Sequence, residues 1–179
     1  MNAIAIQKYM PHHWLALWQL RFAQLAEHGI FLSKDQIPAI PGLPENDEHE
    51  WDLNHIDAVY GSGGGGFWLA WLGDEPVGSV GAQDIGGVVE LRRMYVKAAF
   101  RQQGIGRLLV QALVGHCRAS GIHTAELWTD AGGMGQLFYK RLGFQPRQTP
   151  GPDFEAVAQA TRRSPNSGEI RMRLVLYPQ

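Results

Sequence analysis

The chain has 179 residues, of which 45% are hydrophobic and 18% charged, an ordinary balance for one globular domain spanning 1–179. A formal net charge of −1 argues against the basic face that nucleic acid or an anionic membrane requires, so neither is an expected partner. Cys117 is the only cysteine, which excludes an intrachain disulfide and points to a reducing, cytoplasmic setting. The N-terminus lacks a signal-peptide pattern, and no apolar run approaches the roughly 18 residues of a membrane span. The seven histidines show no metal-ligand spacing, so no metal is expected.

Ala3 to Gln7 alternates weakly and suits a first strand. Pro11 is placed to open a helix, on which Trp14, Leu17, Trp18, Phe22 and Leu25 share a face, with Gly29 as its stop. The aromatics read as core, with a second reading in which Trp14 or Trp18 lines a substrate pocket. The proline-rich run 37–44 excludes regular helix. A second helix is expected over Glu45 to Tyr60, with Glu45, Asp47, Glu48 and Glu50 early, where the helix dipole favours acids. A second reading makes these acids a surface that attracts cationic amines.

Gly61 to Gly66 breaks the chain without separating domains. Phe67–Leu72 and Val77–Gln83 read as strands joined around Gly73-Asp-Glu-Pro76. With the strand Val88–Val96 they make an antiparallel meander. Lys97–Phe100 leads into Arg101-Gln-Gln-Gly-Ile-Gly106, after which Leu108, Leu109, Ala112 and Leu113 recur at helix spacing. That helix ends near Ser120-Gly121. Thr124–Thr129 is the next strand, parallel to Val88–Val96 because a helix crosses between them. Met134–Leu142 is a short helix, and Gly143-Phe144 starts another strand. Pro150 to Gly168 is an insertion with room for a small helix over Asp153 to Arg163. Glu169–Leu176 is the last strand.

A strand, a glycine turn and a helix start together expose backbone N–H groups that no intrahelical carbonyl satisfies, a ready site for phosphate. Gly104 and Gly106 let an anion approach, and Arg101 and Arg107 add charge at the rim. Three phosphate-loop patterns compete. The nucleotide-hydrolase loop needs a Lys-Ser/Thr pair that is absent here. The dinucleotide fingerprint would start at Gly104 and use Glu126 for the ribose, but its third glycine is Leu109. The third pattern, R/Q-x-x-G-x-G/A after a strand, is the pyrophosphate loop of acyl-CoA-dependent N-acetyltransferases.

Here the chain resembles the GNAT acetyltransferase superfamily. The elements are E-L-R-R-M-Y-V (90–96), R-Q-Q-G-I-G (101–106) and L-F-Y-K-R-L-G-F (137–144), and the match covers Phe67 to about Phe144. The resemblance implies an α/β fold with a mixed, mostly antiparallel sheet flanked by helices, its neighbouring strands splayed to admit a pantetheine arm. It implies acetyl-CoA as co-substrate and a small-molecule or peptide amine as acceptor. Dimers are frequent among similar proteins, so a homodimer is a further expectation.

The chemistry asks for three groups. An alkyl amine has a pKa near 10.4, so about one molecule in 2,500 is the neutral nucleophile at pH 7, which adds roughly 4.6 kcal/mol to the barrier. A general base offsets part of this, a donor stabilises the developing oxyanion, and the leaving thiolate needs a proton. By resemblance, Glu90 matches a glutamate base, the Met94 backbone N–H polarises the acetyl carbonyl, and Tyr139 lies beside the CoA sulfur as general acid. Backbone groups of Met94, Tyr95 and Val96 would pair with pantetheine. N–H groups of Gln102, Gln103, Gly104, Ile105 and Gly106 would pair with pyrophosphate.

The residues leave alternatives open. Glu90 shares a strand face with Arg92, so a structural pair or a substrate-orienting carboxylate competes with the base. Tyr139 also suits a core, and Cys117 reads as a buried thiol rather than a partner of His116. Many relatives carry an asparagine and an alanine where Asp130-Ala-Gly-Gly-Met-Gly135 stands. A non-catalytic acyl-CoA-binding or sensor domain is the alternative function.

Overall fold

The computed structural model describes residues 3–33, 50–147 and 168–176. The expected meander forms as β2 (Gly66–Leu72), β3 (Glu75–Asp84) and β4 (Val89–Val96). The β2–β3 link is tighter than expected, since Leu72 already pairs with Glu75 across Gly73-Asp74. Between β3 and β4 the Asp84 carboxylate accepts from the N–H groups of Gly86 and Gly87 at 3.0 and 2.9 Å, which stabilises the turn. With β1 (Ile4–Lys8), β5 (Thr124–Asp130), β6 (Gln145–Arg147) and β7 (Glu169–Val175) these strands build one seven-stranded sheet, ordered β1-β2-β3-β4-β5-β7-β6. Among the described strands β4 and β5 run parallel, and the other neighbours are antiparallel.

Helices cover both faces. On one face α1 (Trp14–Ala26), α2 (Trp51–Asn54) and α3 (Ile56–Tyr60) pack with Phe67, Leu69 and Tyr95 of the sheet. Trp14 and Trp18 belong to this core, as the simpler reading expected. Gly29, at φ 78°, closes α1, and the Ile30 N–H reaches back to the Leu25 carbonyl at 3.0 Å. On the other face α4 (Ile105–Ala119) and α5 (Met134–Arg141) cover Val80, Leu91, Ala125, Leu127 and Met172.

Two expectations need correction. The buried stripe of α4 is Ile105, Leu109, Val110, Leu113 and Cys117, whereas Leu108 is 39% exposed. An i, i+4 ridge faces the sheet, and Leu108 lies one position off it. The helix expected over Glu45–Tyr60 breaks at His55 (φ −127°, ψ 45°) in its described part. The break brings Tyr60 back to Asp52, to which its hydroxyl donates at 2.5 Å. In an unbroken helix residues eight apart lie about 12 Å apart along the axis and could not meet.

Residues 45–49, the proline-rich run 37–44 and the Asp153–Arg163 helix lie outside the described residues. Among the described residues no helix is long and apolar enough to cross a membrane.

Candidate active site

The site is built where β4 leaves its neighbours. Tyr95 pairs with Ser79 and Arg92 with Gly81, so Arg93 and Met94 together stand opposite Val80. That extra residue is a β-bulge, which interrupts the ladder and bends the strand. Arg93 carries the mark of it, a left-handed φ of 51° that arginine rarely adopts. On its other side β4 pairs with β5 only at Val89–Ala125 and Glu90–Glu126. Beyond those pairs the strands part.

The gap continues into a cleft of about 1100 Å³. Met94, Tyr95, Val96, Arg101, Gln102, Gly104, Ile105, Gly106, Arg107 and Tyr139 all line it. Thus the fold brings the strand, loop and tyrosine candidates to one surface. Glu90 and Gln103 are not among its lining residues.

The loop owes its shape to two left-handed residues, Gln102 at φ 62° and Gly104 at φ 82°. Gly104 is the N-cap of α4, and no atom lies within 4 Å of the place a Cβ would take there. The first N–H groups of a 15-residue helix therefore face an open cradle, with Arg107 beside it. This geometry fits a pyrophosphate, and the splayed gap fits the extended arm of an acyl-CoA. Gly106 packs tightly: a Cβ there would lie 3.1 Å from the Phe138 ring. Gln103 donates its amide to the Ala99 carbonyl at 3.2 Å. Arg101 is committed elsewhere, to the Val96 carbonyl at 2.8 Å and to Glu27 at 2.5 Å.

Tyr139 is 7% exposed, its ring edge-on to Phe138 and Phe144. Burial pushes its phenol well above the usual tyrosine value, so the hydroxyl stays protonated through neutral pH. Glu90 is 1% exposed, and its Oε1 lies 4.0 Å from Arg92 Nε. Arg92 itself lines the cleft and donates to Gln83 at 2.8 Å. Glu126 is 1% exposed and gathers Arg147 at 3.0 Å, Arg173 at 2.5 Å and Arg171. It is a structural hub, not the ribose acid of a dinucleotide site. One parallel strand pair, with Leu109 fully buried, also lacks the doubly wound sheet of that fold.

The departure at Gly135 has a local reason, because a Cβ there would come within 2.4 Å of Thr129 Oγ1. The glycine lets α5 approach β5 closely.

One cluster escaped the sequence reading. Asp52 accepts from Arg93 Nε at 2.8 Å and also binds its terminal nitrogen. Glu50 lies 3.3 Å from Arg93 and accepts from Arg21 Nε at 2.7 Å. Burial alone would raise the Asp52 carboxyl, but the Arg93 hydrogen bonds and charge, helped by Arg92 and the Tyr60 hydroxyl, hold it at about 2. Of the acids considered for a cation-attracting surface, Glu50 is buried in these pairs, and Glu45, Asp47 and Glu48 lie outside the described residues. The available signal was two adjacent arginines in a mostly apolar strand, since buried charges need partners.

Known proteins share this architecture. Residues 16–144 match the acetyltransferase (GNAT) family. An uncharacterized N-acetyltransferase of Methanocaldococcus jannaschii is 30% identical over 91 residues, which is 46% of this chain and 40% of that protein, so the chain aligns with under half of its length. An acetyltransferase of the GNAT family from Staphylococcus aureus superposes with a TM-score of 0.72 at 22% identity, covering 98% of this chain and 100% of the other. The PaiA N-acetyltransferase of Thermoplasma acidophilum, solved in complex with coenzyme A, superposes at 0.66 with 18% identity over 97% and 99%. At such identities the superpositions show the fold, and the family match spans most of the sequence. This chain therefore belongs to the acetyltransferase (GNAT) family.

Proposed function

We propose that the protein transfers an acetyl group from acetyl-CoA to a small-molecule or peptide amine by direct attack within a ternary complex. The observation that carries this reading is the β4 bulge opening onto the same cleft as the glycine loop. A thioester whose pyrophosphate rests on the first turn of α4 would lay its pantetheine along Met94–Val96. The Met94 N–H, released from the ladder by the bulge, stabilises the oxyanion.

In the step itself the neutral amine nitrogen forms a bond to the acetyl carbon and the carbon–sulfur bond breaks. The thiolate takes the Tyr139 phenol proton, and the proton lost by nitrogen returns through solvent. Glu90 lies 4.0 Å from Arg92 Nε and outside the cleft lining. Its role here is to hold the Arg92 guanidinium toward the acceptor, which leaves amine deprotonation to water.

Thermal melts with acetyl-CoA, CoA, NAD and ATP test the reading. Ligand at about 100 times its Kd adds roughly 2.7 kcal/mol, a shift of several degrees. Stabilisation by both CoA species and not by NAD or ATP is expected, followed by amine-dependent CoA release across an amine panel. No stabilisation by CoA sinks the proposal. Binding without release by any amine replaces it with an acyl-CoA-binding or sensor role.

A further inference from the structure

The bulge residue Arg93 is held at both ends by groups outside the cleft. Its carbonyl accepts from the Ser79 hydroxyl at 2.9 Å. Its guanidinium lies between Asp52, with Nε at 2.8 Å from Oδ2, and Glu50 at 3.3 Å. Each acid is held in turn, Asp52 by the Tyr60 hydroxyl at 2.5 Å and Glu50 by Arg21 Nε at 2.7 Å. The five partners come from α1, the segment entering α2, α2 itself, α3 and β3, and they converge on one left-handed backbone position. Asp52 has a 5% exposed side chain and does not line the cleft.

A non-glycine residue persists at positive φ only where its surroundings over-determine it. Such strain, when it adjoins the reacting atoms, is a form of preorganisation. The next peptide along the strand carries the Met94 N–H. Whatever sets the Arg93 dihedrals therefore sets the direction of that N–H.

We infer that Asp52 and Ser79 are positioning residues for acetyl transfer: by clamping the side chain and carbonyl of Arg93, they aim the Met94 N–H at the thioester oxygen. This rests on the acetyl-CoA reading proposed above. It separates two jobs within one cleft. The glycine loop governs affinity for CoA, and the clamp governs polarisation of the bound acetyl group.

The test needs no knowledge of the acceptor. Acetyl-CoA labelled with ¹³C at the carbonyl is bound to the full chain, and the thioester stretch is read by isotope-edited infrared difference spectroscopy. In the wild type the band moves to lower frequency than in free acetyl-CoA. In Asp52→Asn and in Ser79→Ala the band returns toward the free position, while Kd for CoA stays within about twofold. Once an acceptor is in hand, kcat falls about tenfold to a hundredfold with KM for acetyl-CoA little changed, the signature of misplacement. Ser79→Ala removes one hydroxyl and carries the test if Asp52→Asn fails to fold. Variants that keep the wild-type band overturn the inference and leave the acetyl-CoA reading standing. A wild-type band that does not move overturns the Met94 role and the inference together. Failure of the wild type to bind acetyl-CoA overturns the reading beneath both.

Discussion

Glu27, just past the end of α1, lies 2.5 Å from the guanidinium of Arg101, the first residue of the glycine loop. The same carboxylate accepts from the Tyr95 hydroxyl at 2.7 Å, and Arg101 also stands over the Tyr95 ring. A helix on one face of the sheet is thereby tied to the loop that opens the helix on the other.

Glu27→Gln tests this tie. The pair is partly exposed, so it contributes only about 0.2–1 kcal/mol. Partial burial acts to raise the Glu27 carboxyl, but the hydrogen bonds from Arg101 and Tyr95 outweigh it and hold the group below the usual carboxylate range. With the folded value depressed, the contribution is fully present above about pH 4.3 and fades as pH falls through the lower folded value. Melts from pH 8 downward should show wild type above variant by a small gap that closes on acidification. A gap unchanged down to pH 3 would mean that the carboxylate charge does not matter.

Gly104→Ala should destabilise without any clash. The position is left-handed at φ 82° and the Cβ would meet open space, so the cost is backbone strain alone. About 1–2 kcal/mol is expected in urea unfolding, along with weaker CoA binding as the cradle relaxes. Wild-type stability together with wild-type affinity would contradict the loop geometry.

Kinetics separate Tyr139 from Glu90. Tyr139→Phe removes the proposed proton donor and should lower kcat by about 10²–10⁴-fold with a small change in KM. Because burial raises the phenol, no loss of activity from its deprotonation is expected below pH 10. Glu90→Gln should leave the rise of rate with pH intact while raising KM for the acceptor through a misplaced Arg92. A flattened pH profile in Glu90→Gln would restore that carboxylate as the base.

Cys117 should be inert. It is fully buried on the core-facing stripe of α4, and burial first, with the Asp84 charge second, pushes its thiol up to about 11. Since thiolate is the reactive form, a disulfide reagent at pH 8 should label nothing in the folded protein and one thiol per chain in denaturant. Rapid labelling of the native state would show that the α4 core opens.

The strands, the loop and the two long helices were legible in the sequence because their signals are local. Two apolar runs joined around Gly73-Asp-Glu-Pro76 mark β2 and β3, β-branched and aromatic residues mark β4, and Arg101–Gly106 places glycine where the chain turns into a helix. The His55 break was not legible, because helix propensity is a neighbour property, whereas the break goes with the packing of Ile56, Val59 and Tyr60 into the core and with the Asp52–Tyr60 hydrogen bond. The exposure of Leu108 escaped for a similar reason. An apolar residue one position off the ridge looks the same in sequence as one on it.

By itself, then, the sequence determined the order of strand, glycine turn and helix, and with it the loop proposed to cradle a phosphate. Only the tertiary structure decided which charges meet. Asp52 and Arg93 are 41 positions apart, and Glu27 and Arg101 are 74 apart. Their pairing depends on how α1 and α2 lie across the sheet, and no local window contains that information. Glu90 shows the difference most directly: the sequence put it in the strand before the loop, and the packing left it 1% exposed and outside the cleft that Arg92 lines.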